Sequence, residues 1–221
     1  MLKKAVIFDL DGTLLDTLED LCDSVNATMR EFSSPERSLP EVRRFVGHGA
    51  ADLIAKSLKG GRDNPDYERA LGFFREHYGS HAEIKTCPYK GVIDLLSRLS
   101  ALGVPCAVVS NKPDATTRSL CKTYFGELIL EAVGDREGMP RKPAPDKVFA
   151  TMKKLGCDGA VYVGDSEADV LTAKNAGIPC ICMTWGFRDR EDMEAVGGEI
   201  FCNDARELEG EIMKFLGRGA W

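Results

Sequence analysis

Val6-Ile7-Phe8-Asp9-Leu10-Asp11-Gly12-Thr13-Leu14-Leu15-Asp16 is the stretch on which the reading of the whole chain turns. Residues 5–8 are apolar at consecutive positions, the pattern of a short strand buried on both faces. The run leads straight into two carboxylates. Side chains two apart on an extended chain point the same way, so Asp9 and Asp11 face one small volume while Leu10 turns into the core. Two carboxylates that close raise each other's pKa unless a cation lies between them. The alternative is a surface turn, for which Asp11-Gly12 is a good pair. An apolar strand ending in the pair favours a site.

Outward from this stretch, apolar runs of strand length recur at 106–109, 160–163 and 178–183, with weaker ones at 128–133 and 199–202. Amphipathic stretches of helical length lie between most of them, at 92–102, 115–124, 146–155 and 167–176. Strand alternating with helix predicts an α/β fold with a doubly wound parallel sheet. Gly103, Gly156 and Gly177 each sit just past a helix and before a strand, as C-terminal caps.

Residues 17–86 break this rhythm. They hold no convincing strand, only helical patterns at 18–32, 41–46, 50–58 and 66–81. The expected organisation is therefore a discontinuous α/β core, 1–16 and 87–221, with an all-α insertion at 17–86. Such an insertion reads as a cap or lid hinged near Asp16 and Thr86.

Composition narrows the partners. The net charge is −6, from 29 basic and 35 acidic residues, and no run of five like charges occurs. The electrostatic footprint of a nucleic-acid binder is missing, so an anionic substrate needs a local positive site. Met1-Leu2-Lys3-Lys4 has the basic start of a signal peptide, but Asp9 and Asp11 interrupt the apolar run that follows. No stretch reaches the roughly 18 apolar residues of a membrane span, and the expected location is cytoplasmic. The eight cysteines are scattered with no C-x-x-C pair, which reads as reduced, mostly buried thiols and not as a disulfide or zinc framework.

Three further clusters sit at ends of expected strands, where open α/β sheets bind ligands. Ser110-Asn111-Lys112-Pro113 offers a hydroxyl beside a helix start, suited to a phosphate oxygen or simply to capping that helix. Arg141-Lys142-Pro143-Ala144-Pro145-Asp146 holds a lysine in a proline-stiffened loop, apt for neutralising phosphate charge. In Gly164-Asp165-Ser166-Glu167-Ala168-Asp169, Ser166 and Asp169 have capping-box spacing. Asp165 follows an apolar strand, where a carboxylate is costly unless solvated, paired or metal-bound. Together these hard oxygen donors suit Mg²⁺.

The four motifs, in this order, strongly resemble the haloacid dehalogenase superfamily of phosphohydrolases over nearly the whole chain, and the insertion resembles its C1-type helical cap. The resemblance implies Asp9 as the nucleophile of an aspartyl-phosphate and Asp11 as the acid and base. It implies Ser110 and Lys142 as holders of the transferring phosphoryl group, with Gly12, Thr13 and Asn111 lining the substrate site. Asp9, the backbone carbonyl of Asp11, and Asp165 would ligate Mg²⁺, with Asp169 close by. The partner implied is a small phosphorylated metabolite, for a monomer or homodimer.

Within the insertion, residues 42–52 resemble the corresponding segment of phosphoglycolate phosphatases. Gly47-His48-Gly49 allows a tight turn into a helix near Ala50, whose free N–H groups suit a small carboxylate. His48, Arg43 and Arg44 are candidate substrate contacts, and each is equally readable as a solvated surface residue. β-Phosphoglucomutases share the fold, but they resemble an Asp-Gly-Val first motif where this chain has Gly12-Thr13. Pyrophosphate, sugar phosphates and nucleotides remain alternative substrates.

Overall fold

In chain order, β1 (Lys4–Phe8) is followed by β2 (Leu15–Asp16), α1 (Leu18–Glu31), α2 (Leu39–Phe45), α3 (Ala50–Ser57), α4 (Tyr67–His81) and β3 (Cys87–Pro88). Strand and helix then alternate through α5 (Val92–Ala101), β4 (Cys106–Pro113), α6 (Asp114–Phe125), β5 (Glu131–Asp135), α7 (Asp146–Leu155) and β6 (Gly159–Gly164). The remainder is α8 (Glu167–Ala176), β7 (Cys180–Met183), α9 (Arg190–Ala195), β8 (Ile200–Cys202) and α10 (Ala205–Leu216). The structure, a computed structural model, describes residues 3–218. Met1 and Leu2, the first half of the Met1-Leu2-Lys3-Lys4 start, lie outside them.

Six strands form one parallel sheet in the order β5-β4-β1-β6-β7-β8. The chain begins in the middle, builds outward through β4 and β5, then returns to the other side of β1. That reversal makes a topological switch point at the carboxyl ends of β1, β4 and β6, where such sheets open a crevice. Both faces of the sheet are covered. Val6 and Phe8 enter the larger apolar cluster, which continues through Leu10 and Leu14 into Leu21, Ile54 and Phe74 of the helical insertion. Ala5 and Ile7, on the opposite face, pack with Val109, Val148 and Tyr162. This period-two split is why the run reads as apolar at every position.

Residues 17–86 contain helices and no strand. Their two connections to the sheet meet in a small antiparallel ribbon, Leu15 opposite Pro88 and Asp16 opposite Cys87. The returning connection is pinned by Asp20 of α1, a buried carboxylate that accepts backbone N–H groups from Ile84, Lys85 and Thr86.

The structure moves several expected boundaries. β4 extends to Pro113, beyond the apolar run, because Ser110 to Pro113 stays extended beside β5 with a register shift after Val109. β5 begins at Glu131, since residues 126–128 form a 3-10 turn. The ribbon, α9 and α10 were not anticipated. No helix among the described residues is long and apolar enough to cross a membrane. All eight cysteines are free, and five of them are buried.

Candidate active site

The crevice contains a cavity of about 50 Å³. The sheet supplies Asp9 and Asp11 after β1, Ser110, Asn111 and Lys112 at the end of β4, and Asp165 and Ser166 after β6. The opposite wall is the helical insertion, and Phe187 and Arg188, between β7 and α9, close one side.

Asp9, Asp165 and Asp169 are buried and bring one carboxylate oxygen each within 4.8 Å of the others. Lys142 answers two of them, its Nζ lying 2.8 Å from Asp9 Oδ2 and 2.7 Å from Asp169 Oδ1. Three carboxylates against one ammonium leave a buried excess of negative charge. Burial first, with Lys142 pulling the other way and Asp169 adding repulsion, pushes the Asp9 carboxyl up to about 6. Burial, then the charges of Asp169 and Asp9, push Asp165 to about 8. Asp11 is the weakest influence on Asp9, so burial and Asp169, and not repulsion between the first two carboxylates, set the energy of this cluster.

Asp165 is held from both oxygens. Thr13 Oγ1 donates to Oδ1 at 2.7 Å and the Phe187 backbone N–H to Oδ2 at 2.8 Å. Two glycines make room for it. A Cβ on Gly12, whose φ is +80°, would lie 2.2 Å from Asp165 Oδ2, and a Cβ on Gly186 would lie 2.2 Å from Asp165 Cβ. Gly12 and Thr13 were expected to touch substrate, but they do not line the cavity. They support Asp165 from behind.

Asp169 fulfils the capping-box reading as well as joining the cluster. Its Oδ2 accepts from the backbone N–H groups of Asp165 and Ser166 and from Ser166 Oγ. With Lys142 on Oδ1, its lone pairs are largely committed.

Asp11 stands apart from the trio. Its Oδ1 takes Thr17 Oγ1 at 2.7 Å and Lys112 Nζ at 2.6 Å. Lys112 is buried and also donates to Tyr78 Oη of α4, so it joins the sheet to the insertion. Burial opposes its charge, but Asp11 and Tyr78 together hold its pKa above the ordinary lysine value.

Ser110 lines the cavity and does not cap α6, whose N-cap residue is Pro113. Its carbonyl receives the Nζ of Lys147, a fully buried lysine 3.0 Å away, whose pKa burial lowers to about 8. Asn111 also lines the cavity, but its amide is occupied. Nδ2 donates to the carbonyls of Gly47 and Lys142, and Oδ1 accepts from Lys142 N.

In the insertion, Gly47 and Gly49 line the cavity with φ values of +118° and +86°, and α3 starts at Ala50 beside them. His48 between them is exposed and outside the lining, because the turn carries its side chain to the solvent face. Arg43 reaches across to the Gly186 carbonyl and Asp189. Arg44 is exposed. Arg188, absent from the sequence reading, donates to the carbonyls of Arg43, Arg44 and Val46 at the end of α2 and pairs with Glu167. Lys112, Lys147, Tyr78 and Arg188 went unread because each acts through a partner distant in sequence. Only Lys112, adjacent to Ser110-Asn111, carried a local signal.

A carboxylate cluster with a buried lysine, set at the switch point of a parallel sheet and roofed by a helical insertion, defines a capped α/β hydrolase. The family is legible in the sequence relatives. The chain belongs to the haloacid dehalogenase-like hydrolases, whose family model matches residues 6–183. It is 34% identical over 215 residues to the phosphoglycolate phosphatase of Pseudomonas putida, spanning 94% of this chain and 79% of that one. It is 35% identical to the phosphoglycolate phosphatase of Rhodospirillum rubrum, spanning 93% and 89%. A solved protein of Lactobacillus delbrueckii subsp. bulgaricus, 32% identical, superposes with a TM-score of 0.89 over 96% of this chain and 99% of that one.

Proposed function

We propose that this haloacid dehalogenase-like phosphatase hydrolyses phosphoglycolate or a closely similar small phosphate monoester. Asp9 attacks phosphorus, the bond from phosphorus to the ester oxygen breaks, and Asp11 gives that oxygen a proton. Asp11 then takes a proton from water as the water oxygen attacks the aspartyl-phosphate, releasing phosphate and restoring Asp9. Ser110 and Lys142 hold the phosphoryl oxygens, while Lys147 steadies the Ser110 backbone. The helical insertion acts as the cap, moving about the ribbon at Asp16 and Cys87 and excluding water when closed. The eight free cysteines, five of them buried, fit a reducing, cytoplasmic setting.

The observation that carries the substrate reading is the likeness, over 93–94% of this chain, to proteins named phosphoglycolate phosphatase. Measurement of kcat/KM across phosphoglycolate, pyrophosphate, sugar phosphates and nucleotides tests it. Phosphoglycolate is expected to lead. A nucleotide or hexose phosphate ranking well above it would refute the substrate, and interconversion of sugar phosphates without phosphate release would point to a mutase.

The buried acidic excess fits a hard dication with oxygen ligands. Asp9 and Asp165 would hold Mg²⁺ together with the Asp11 backbone carbonyl, and Asp169, already saturated by hydrogen bonds, would stand behind them. When bound, the ion offsets charge on the phosphoryl oxygens.

This reading has a pH signature. Asp165 ionises near pH 8 in the metal-free fold but near pH 4 in the unfolded chain. Between those values the folded state carries a proton that the unfolded state has lost, so this site's contribution to stability falls as pH rises. A cation that favours the ionised form reverses the loss. The rise in Tm on adding Mg²⁺ is therefore expected to be larger at pH 8 than at pH 5.5, and to lose most of its pH dependence in Asp165→Asn. Equal increments at both pH values would contradict metal binding at this cluster.

A further inference from the structure

We propose that Lys112, positioned by Tyr78, binds the anionic group at the far end of the substrate from the phosphoryl group, and so selects esters that carry a distal carboxylate. The inference rests on the phosphatase reading and names the chemistry that decides among its substrates.

Three cationic side chains stand at or beside the cavity, and their partners differ. Lys142 donates to Asp9 and Asp169, and its third donor serves the phosphoryl oxygens in the proposed reaction, so it has none for a second anion. Arg188 lines it, but its guanidinium is committed to Glu167 and to three carbonyls of the insertion. Lys112 lines it with a buried ammonium that has two hydrogen bonds among the described residues, to Asp11 Oδ1 and Tyr78 Oη. An ammonium has three donors, so one remains for a ligand.

The insertion's wall points the same way. Its contribution to the cavity is Leu21, Val46, Gly47, Gly49, Ala50, Leu53 and Phe74, with Tyr78 the one residue that bears a polar group on its side chain. No cationic side chain of the insertion lines the cavity. A carboxylate enclosed by those apolar groups without a charged partner would be strongly disfavoured, and among the described residues lining the cavity Lys112 is the cation with a donor to spare. The start of α3, whose first N–H groups lack helical partners, lies on the same cavity and supplies further donors.

Lys112 also touches Asp11, which sits beside the ester oxygen in the proposed reaction. A single residue that holds the acid and reads the carboxylate ties protonation to the correct leaving group. Tyr78 is a positioning residue. It fixes the ammonium from the insertion side and carries no charge of its own in this role, its phenol being driven above its usual pKa by burial.

The test compares matched esters, phosphoglycolate with ethyl phosphate and O-phospholactate with isopropyl phosphate, in the wild-type protein, Lys112→Met and Tyr78→Phe, with Mg²⁺ present. The wild type is expected to favour the carboxylated member of each pair. Lys112→Met is expected to lose about 100-fold more kcat/KM on the carboxylated esters than on the neutral ones, the size of one buried charged contact. Tyr78→Phe, which keeps the ring in the core, is expected to reduce the preference about 10-fold, mainly through KM. Equal losses on both members of each pair in both variants would overturn the proposal, leaving Lys112 a partner of Asp11 alone. So would a wild type without preference for the carboxylate. A wild type that prefers carboxylated esters but ranks phosphoglycolate below another would remove phosphoglycolate as substrate and leave the role of Lys112 standing.

Discussion

Asp9→Asn is expected to abolish phosphate release, by at least about 10⁴-fold in kcat, while the protein folds as well as the wild type or better. The two halves of this outcome have separate causes. The amide cannot attack phosphorus and form the acyl phosphate, so no intermediate accumulates. The amide oxygen can still accept the Leu10 N–H that Asp9 Oδ1 accepts at 2.7 Å, so the turn after β1 keeps its geometry. Stability gains from the charge balance. In the metal-free protein Asp9, Asp165 and Asp169 face Lys142 alone, and burial has already raised the Asp9 carboxyl to about 6. At pH 7.5 its ionised form is therefore less favourable folded than unfolded, and removing that charge relieves the fold. Turnover of p-nitrophenyl phosphate and thermal melting in EDTA read the two effects independently. Measurable turnover above background would remove Asp9 as the nucleophile. A melting point several degrees below wild type would contradict the charge account.

How much of this was visible beforehand depends on whether a feature is local. The six strands of the parallel sheet and the helices between β3 and β7 announce themselves because each is one amphipathic or apolar run closed by a glycine or proline. The catalytic-motif residues were legible for the same reason, since Asp9, Ser110, Lys142 and Asp165 each follow or end a strand at the same edge. α10 has a local signal in the sequence. Asp204 caps it with bonds to the Arg206 and Glu207 N–H groups, Leu208 and Ile212 form its buried face, and Gly217 ends it. The ribbon of Leu15–Asp16 and Cys87–Pro88 had none, because two residues show no period. The division of labour within the site was also hidden. Thr13 reads as a substrate-site residue from its motif, yet its partner is Asp165, 152 residues on. Lys112 reads as a flanking residue until α4 brings Tyr78 against it. Such roles are set by which elements the topology brings together, and strand periodicity carries no record of that.

Lys142→Met is expected to cost both stability and catalysis, the reverse pattern of Asp9→Asn in its first half. Lys142 is buried, bonded to Asp9 at 2.8 Å and Asp169 at 2.7 Å, with its Nζ 5.7 Å from the Tyr162 ring centroid. Methionine matches the stem in volume but leaves the carboxylates without a counter-charge. Breaking a buried pair from one side typically costs about 3–5 kcal/mol, because the remaining charge stays desolvated. The loss should depend on pH in a defined direction. Asp9 already sits at about 6 with the lysine beside it, and without that cation its carboxyl protonates at higher pH still. The variant's deficit in metal-free urea melts is therefore expected to be largest near pH 8 and to shrink towards pH 5, as protons replace the missing charge. Mg²⁺ should recover part of the stability, since it supplies positive charge to the same oxygens. It should not recover activity, which is expected to fall by about 10³-fold or more for want of a donor to the phosphoryl oxygens. A deficit that is independent of pH would mean the lysine acts by packing. A Mg²⁺-rescued variant with near-normal kcat would mean that the dication alone meets the charge of the reacting phosphate, and Lys142 would then be a structural counter-ion for Asp9 and Asp169.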